Sequence, residues 1–550
     1  MYILPAATVA PFYYLHNFQH VLAWLEQRYS DLLNAHELAF IRQFEKLPQP
    51  SQALLVRMVM RKGCHFRLSK LHYEEIGSTQ TAVAPLLSAG WVTDVPMLEM
   101  EQLFALLSKQ ELQQFFPEQI GHIPRKADML VILKAEFAQA RDLADWLPGF
   151  SEPVYALQCM DICDRLRLMY FGNLHQDWSE FILADLGIYQ YEQVPFSPDS
   201  RAFQQRAEVD AYLHLQACRE QFEAGDAFEQ VLSEVPAQPY SNPWLEARRG
   251  KLLFQMAHFC ESEQDFSQAL QLYRQSSHPQ ARYRAIRVLE RSGNFAEACT
   301  LTEQAMQQPV SETEQQSLQR MLPRLQRRLN LSATVSQKKV HATDRIDLTL
   351  PQPEPYYGVE LAVCDDLSQH TDTYYVENGL VNSLFGLLCW DAVFAAVPGA
   401  FFHPFQTGPA DLFDADFLPR RSELFAGCLD QLKTGAYKSS IWHTFEQKQG
   451  LQSPFVYWDL LSEKLLQQAL SCLPADHLHA WFYRMLHDMK NNRAGWPDLI
   501  QFWPQEQRYR MVEVKGPGDR LQDNQLRWLS FFQQHGMPAV VCYVRWQEHD

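Results

Sequence analysis

Apolar residues recur at a helical period through most of this chain and change to a strand period only near the C-terminus. Leu15, Phe18, Val21, Leu22 and Leu25 make one stripe, and Ala39, Phe40 and Phe44 form part of another. Over 52–61, Leu54, Leu55, Met58 and Val59 turn inward, leaving Arg57 and Arg61 outward. Lys62-Gly-Cys-His-Phe-Arg-Leu68 reads as a short extended ribbon, with two small helices and Gly90-Trp-Val after it. That order is compatible with a winged-helix DNA reader and equally with any small helical packing unit. Two short helices are predicted over 106–112 and 126–133, joined by Gly121-His-Ile-Pro-Arg125, and Ser108 with Glu111 has the spacing of a capping box. Paired helices around a basic loop fit a SAP-like duplex binder or a plain helical hairpin. From 200 to 335 the pattern is helical throughout. There Asp265-Phe-Ser-Gln-Ala269-Leu-Gln-Leu272 is echoed 29 residues later by Asn294-Phe-Ala-Glu-Ala298-Cys-Thr-Leu301, slightly short of the tetratricopeptide period of about 34. Stacked helix pairs of this kind build concave partner-binding surfaces.

The period then changes. Asp498–Trp503 and Tyr509–Lys515 read as strands across a polar turn at 504–508, and Gly516-Pro-Gly-Asp519 breaks the chain. Leu521, Gln525, Trp528, Leu529 and Phe532 follow at helical spacing, and 539–544 is a buried strand. Strand, strand, helix, strand is the order of a small α/β core. The stretch from Leu331 to Arg345, with Lys338 and Lys339, is polar and aperiodic and marks a boundary. The expected fold is multidomain and α-rich. Residues 1–199 form a winged-helix and SAP-like helical region, 200–335 a tetratricopeptide-like middle, and 336–550 an α/β nuclease core of the restriction-endonuclease-like kind.

The two C-terminal strands carry the chemistry. Pro497-Asp498 opens the first and Glu513-Val514-Lys515 closes the second, the spacing of the metal-dependent nuclease pattern PD…(D/E)xK. A strand alternates faces, so Glu513 and Lys515 look one way and Val512 and Val514 the other. A phosphodiester is anionic, and its hydrolysis is helped by divalent cations held on carboxylates, whose hard oxygens select Mg²⁺ or Mn²⁺. Glu-x-Lys alone is common on solvated strands, and it is the surrounding elements that raise its weight. A further carboxylate is sought on a packing helix. In Tyr375–Asp391, Leu380, Val381, Leu384 and Leu388 form a buried stripe, and Glu377 is placed on that face in the first turn. The helix dipole alone favours an acid there, but an unpaired buried charge is costly and a cation would offset it. Gln525 either bonds the backbone or reaches the site.

With 550 residues the chain exceeds one core, and its 47% hydrophobic and 13% aromatic content excludes a disordered protein. The net charge of −17 opposes DNA binding unless basic residues are grouped. Between 41 and 72, Arg42, Lys46, Arg57, Arg61, Lys62, Arg67 and Lys70 stand against Glu45 alone. A second group comprises Arg282, Arg284, Arg287 and Arg291, continued by Arg320, Arg324, Arg327 and Arg328. Each group is either a solvated helix face or a phosphate contact, and the candidate nuclease centre favours the second. Eleven cysteines without paired C-x-x-C motifs argue against a zinc ribbon and fit reduced thiols. No membrane span and no secretory start at Met-Tyr-Ile-Leu-Pro-Ala-Ala are expected, which points to a soluble intracellular protein.

Glu377-Asn-Gly-Leu, Leu384-Phe-Gly-Leu-Leu-Cys-Trp-Asp391, Pro404-Phe-Gln-Thr-Gly-Pro409-Ala-Asp411-Leu, Gly495-Trp-Pro-Asp498-Leu and Glu513-Val-Lys515 together resemble the VRR-NUC nuclease module of the Fanconi-associated nuclease family. Val56-Arg57-Met, Arg61-Lys62, Lys70-Leu-His-Tyr-Glu-Glu-Ile76 and Gly172-Asn-Leu-His-Gln-Asp177-Trp-Ser-Glu-Phe181 extend the resemblance from about residue 13 to the end. It implies a structure-specific 5′ flap endonuclease and 5′–3′ exonuclease (phosphodiesterase I) acting in DNA interstrand crosslink repair. It also implies that Glu377, Asp498, Glu513 and the Val514 carbonyl bind Mg²⁺ or Mn²⁺, as two ions, with Lys515 orienting water and phosphate and Gln525 at the matching helix position. Branched or flapped duplex is the implied partner. Arg57, Arg61, Lys62, Arg67 and Lys70 would bind DNA, and Arg284, flanked by Arg282 and Arg287, would receive the 5′-terminal phosphate. The chain departs from animal members in lacking an N-terminal zinc-type ubiquitin-binding module, which suits a bacterial member working in the cytoplasm on the nucleoid; a eukaryotic one would be nuclear. A Holliday-junction resolvase or restriction-like endonuclease shares the motif, and a non-catalytic tetratricopeptide scaffold is the reading from another class.

Overall fold

The computed structural model describes residues 11–178, 180, 189–197, 200–331, 344–352, 354 and 357–547. Most of the linker expected over 331–345, the Met1–Ala7 start, and Ser179 and Phe181 of the resemblance lie outside the described residues. The chain divides into two compact units, Met1–Gln190 with Pro198–Val209, and Tyr191–Ser197 with Asp210–Asp550.

In the first unit, helices Tyr13–Tyr29, Ala35–Lys46 and Gln49–Val59 bury the predicted stripes, with Phe18, Leu22, Phe40, Phe44, Leu54 and Leu55 all in the core. The extended ribbon is the strand His65–Arg67. It pairs antiparallel with Val154–Leu157, whose other edge takes Val92–Thr93. The central strand of this small sheet comes from about ninety residues downstream, a pairing that no local pattern announces. The helix expected over 106–112 is two helices. Met100–Leu106 ends, and Lys109–Phe115 starts afresh because Ser108 and Glu111 form the reciprocal box: Ser108 N–H donates to Glu111 Oε2 at 2.8 Å and Glu111 N–H to Ser108 Oγ at 3.3 Å. With Lys126–Glu136 they enclose Leu103, Leu112, Met129, Leu133 and Trp146.

In the second unit, Pro243–Ser262, Phe266–Gln275, Ala281–Arg291, Phe295–Gln307 and Glu312–Arg328 pack in sequence. The 29-residue echo marks equivalent helix starts, with Asp265 and Asn294 both in the N-cap position. This stack and the nuclease core lie in one compact unit. Helix Glu312–Arg328 lies against the C-terminal elements: Glu312 binds Arg484, Arg320 Nη1 is 2.7 Å from Asp523 Oδ1, and Arg527 donates to Gln316 Oε1 at 2.8 Å.

The nuclease sheet has five strands in the order Asp344–Leu350, Ala539–Trp546, Arg508–Lys515, Leu499–Trp503, Asp372–Tyr375. The first three run parallel and the remaining pairings are antiparallel. The strand–strand–helix–strand order read from the sequence is its centre, and the two edge strands were not legible. Val512 and Val514 pack with Leu350, Val363, Leu499, Val540 and Cys542 on one face. Helix Gly379–Leu388 is buried along its whole length on the opposite side, among Phe425, Phe455, Trp481 and Ile500.

Candidate active site

Asp498 stands at the entry of strand Leu499–Trp503, and Glu513 and Lys515 at the end of the neighbouring strand. Pairing of these strands places the Val514 N–H 2.8 Å from Asp498 Oδ2, so the ladder itself holds that carboxylate. Glu513 is fully buried, with relative exposure 0%, and Asp498 and Lys515 are buried beside it. Lys515 Nζ lies 2.8 Å from Glu513 Oε1, as the shared strand face requires. Neither Glu513 oxygen has an aligned hydrogen-bond donor.

Two carboxylates thus share one ammonium in a dry place. Burial pushes Asp498 up to about 6; the Val514 N–H and Lys515 oppose that, while Glu360 and Glu377 add to it. Burial, then the charge of Asp498, pushes Glu513 up to about 8 against the pull of Lys515. Two buried carboxylates around one ammonium, with no aligned hydrogen-bond donor on the Glu513 oxygens, are the donor set a hard divalent cation takes. The residues present therefore fit such an ion.

Glu377 is not on the buried stripe. It precedes helix Gly379–Leu388 in an exposed turn, at φ +32°. Its N–H and that of Val376 both donate to the Asp498 carbonyl at 2.9 Å, and this hairpin-like closure keeps it out of the helix. The expectation of an acid buried in the first turn is corrected accordingly: the helix begins two residues later, and Glu377 reaches the site from its rim. Among the described residues, no three His, Cys, Asp or Glu side chains are gathered into a ready-made metal cage. Asp498 and Glu513 form the buried pair, and the Glu377 carboxylate bonds Tyr375 Oη–H at 2.8 Å and Asn378 Nδ2–H at 3.0 Å.

Gln525 takes the backbone role of the two open to it. Its Oε1 accepts the Gln522 N–H at 2.8 Å in the capping box of helix Asp523–Gln534. Glu360, in the first turn of helix Val359–Ser368, was missed by sequence reasoning. Its charge raises both Asp498 and Tyr375, and no spacing relates it to the motif. Gly495, before Trp496 and Pro497, has φ +89°, and a Cβ there would meet Asn524 at 2.8 Å, so the turn into Asp498 needs glycine twice over.

The basic groups divide. Arg57 is bound to Glu75 at 2.6 Å and lies over the Tyr14 ring, and Arg67 is bound to Glu111 and Glu152. Arg61 donates to the Lys70 carbonyl, and Lys62 and Lys70 are exposed. Arg282 is bound to Glu314 at 2.5 Å, Arg284 is 3.5 Å from Glu261, and Arg287 is half-buried. Lys251 and Lys490 both act on His278, whose basicity burial lowers first. Lys251 and Lys490 stand on helices far apart in the chain, so their approach to His278 has no sequence signature.

A VRR-NUC domain model matches residues 432–546, a FAN1 HTH domain model 12–93, and a Fanconi anemia-associated nuclease SAP domain model 97–146. A Fanconi-associated nuclease 1 homolog of Pseudomonas aeruginosa is 59% identical over 98% of this chain and 97% of its own length. The chain belongs to the Fanconi-associated nuclease family. The homolog of Arabidopsis thaliana is 25% identical over 96% of the chain, which spans 66% of that protein. The crystal structure of paFAN1 bound to DNA with a two-nucleotide 5′ flap and gap superposes with a TM-score of 0.94 at 59% identity, covering 99% of this chain and 100% of that one. As a member of this family the chain is a structure-specific DNA nuclease, a hydrolase of the VRR-NUC type with N-terminal HTH and SAP domains and a helical middle. The family implies divalent-metal dependence. No helix among the described residues is long and apolar enough to cross a membrane.

Proposed function

We propose that this nuclease hydrolyses the phosphodiesters of DNA bearing a 5′ flap, as flap endonuclease and 5′–3′ exonuclease, in interstrand crosslink repair. The observation that carries the chemistry is the buried Glu513, whose two oxygens have no aligned donor among the described residues and which has the Lys515 ammonium beside it. The flap reading is supported by the Pseudomonas relative, crystallised on DNA with such flaps. Asp498, Glu513, Glu377 and the Val514 carbonyl would hold Mg²⁺ or Mn²⁺, as two ions. Bound there, the cations neutralise phosphate charge and lower the pKa of water. Lys515 orients the phosphate beside Glu513, and the buried walls exclude bulk water, strengthening each charge interaction. Exposed Lys62 and Lys70, with Arg61, contact duplex backbone from the N-terminal region without reading bases. Arg284 and Arg287, with Lys251 and Lys490 beside His278, offer cations to a terminal phosphate, while Arg282 is taken up by Glu314. The place of action is the compartment of the DNA: the nucleoid of a bacterium, or the nucleus of a eukaryote.

A labelled 5′ flap incubated with Asp498→Ala in Mn²⁺ is expected to stay uncut while duplex binding persists. Retained Mn²⁺-dependent cleavage by that variant would overturn the site. Preference for a four-way junction over flaps in a substrate panel would move the chain to the resolvase reading.

A further inference from the structure

Glu377 stands at a backbone conformation that side chains rarely adopt, and two hydrogen bonds converge on its carboxylate from outside the motif. Asn378 is the hub. Its Nδ2–H donates to Glu377 Oε1 at 3.0 Å, and its Oδ1 accepts the Gly495 N–H at 2.9 Å and the Trp496 N–H at 3.3 Å. Those two amide donors fix which end of the carboxamide is oxygen, so the NH₂ end must face Glu377. The Asn378 carbonyl accepts Asn382 Nδ2–H at 2.6 Å, and the same Nδ2 donates to the Arg493 carbonyl at 2.7 Å, from a fully buried side chain. On the other flank the Tyr375 hydroxyl donates to Glu377 Oε2 at 2.8 Å. One side chain therefore ties the carboxylate of Glu377 to the Gly495–Asp498 turn, and a tyrosine holds the remaining oxygen.

We infer that Asn378, assisted by Tyr375, is a positioning residue that aims the Glu377 carboxylate at the ion shared with Asp498 and Glu513. This rests on the metal reading of the site given above. A glutamate in an exposed turn samples several rotamers, and donors on both oxygens select one before any cation arrives. Outer partners that orient a metal-binding carboxylate are worth about 10- to 100-fold in metal affinity. Asn378 also couples the two halves of the site, because any shift of the turn at Gly495 and Trp496 is felt at the Glu377 oxygen. Aspartate would keep the acceptor for the two amides but lose the donor, and alanine would lose both.

The test is a double-mutant cycle read by Mn²⁺ calorimetry on the full chain, with thermal melting in metal-free buffer as control. Asn378→Ala is expected to weaken Mn²⁺ binding about tenfold in the parent and by less than about twofold in a Glu377→Ala background, where there is no carboxylate left to aim. Equal losses in both backgrounds, or none in the parent, overturn the assignment. Tyr375→Phe, an exposed change that removes only the hydroxyl, is the second arm should Asn378→Ala melt early; it must show the same dependence on Glu377, and additive losses refute the proposal. Asp498→Ala separates the two levels. If it binds Mn²⁺ as tightly as the parent, the metal reading fails; if it loses binding while Asn378→Ala and Tyr375→Phe do not, the positioning role alone fails.

Discussion

Glu377 and Asp498, 121 positions apart in the sequence, are joined main chain to main chain: the Glu377 amide donates to the Asp498 carbonyl at 2.9 Å, and the Val376 amide shares that acceptor. The separation of the two acids is thus set by backbone hydrogen bonds and not by the reach of their side chains. Disturbance of the turn on either side should then act on the site without touching a carboxylate.

Gly495→Ala tests this directly. The left-handed φ of +89° and the 2.8 Å approach to Asn524 both oppose a Cβ, and strain of this kind costs about 1–3 kcal/mol. A fall in unfolding free energy of that size by urea titration is expected, together with a loss of flap cleavage larger than the fraction unfolded explains. Unchanged cleavage would show that the turn does not set the site.

Protonation gives a second test. In the metal-free protein Asp498 and Glu513 hold protons up to about pH 6 and about pH 8. Their folded values lie above the unfolded ones, so their contribution to stability is full below the ordinary carboxylate range and is lost as pH rises through the folded values. Relative to Asp498→Asn/Glu513→Gln, the metal-free parent should lose melting temperature between about pH 5 and pH 8. Mn²⁺ must displace these protons. Its affinity should climb over the same window, with proton release visible in buffers of different ionisation enthalpy, and binding without proton release would contradict the shifts.

The N-terminal cations separate into two kinds. Lys62 and Lys70 are exposed, and each alanine variant should lower the salt slope of duplex binding by about 1 with no change in melting temperature. Arg67 lies between Glu111 and Glu152. Arg67→Ala should instead lower thermal stability, since it leaves both acids without their shared partner, and an unaltered melt would place Arg67 among the phosphate contacts.

Arg484 is buried against Glu312, with its guanidinium 4.3 Å from the Trp528 ring and 4.5 Å from Phe531. Arg484→Met should be milder than Glu312→Ala. Methionine fills the same space, whereas removal of the acid strands a buried cation, at about 3–5 kcal/mol. Denaturant titration of both variants distinguishes the two, and the reverse order would mean that packing on the aromatic rings dominates.

The centre of the nuclease sheet was legible because its strands are contiguous in sequence and alternate or run apolar, and Glu513 and Lys515 share a face for that reason alone. The basic residues were legible as charge but not as role: Arg57, Arg67 and Arg282 look like phosphate binders until Glu75, Glu111, Glu152 and Glu314 come beside them from elsewhere in the chain. Glu377 is marked in the sequence by its residue type and not by its setting, since helical periodicity carries no information about the Asp498 carbonyl that holds it outside the helix. Strands Asp344–Leu350 and Asp372–Tyr375, and the Val154–Leu157 strand of the first unit, are supplied by long-range pairing, which local patterns do not encode.

Strand Ala539–Trp546 lies inside the nuclease sheet, hydrogen-bonded to Asp344–Leu350 on one side and to the Glu513 strand on the other. A growing chain that has reached only residue 538 has every acid of the site and the lysine, yet its first and third parallel strands have nothing between them. The acids themselves need no part of the late strand, because Asp498 is held by the Val514 N–H and its carbonyl by the Glu377 and Val376 amides, all on or beside the three antiparallel strands. This strand is the closure of the sheet: without it the Glu513 strand and Asp344–Leu350 are each left with an open edge, the template on which stray strands pair.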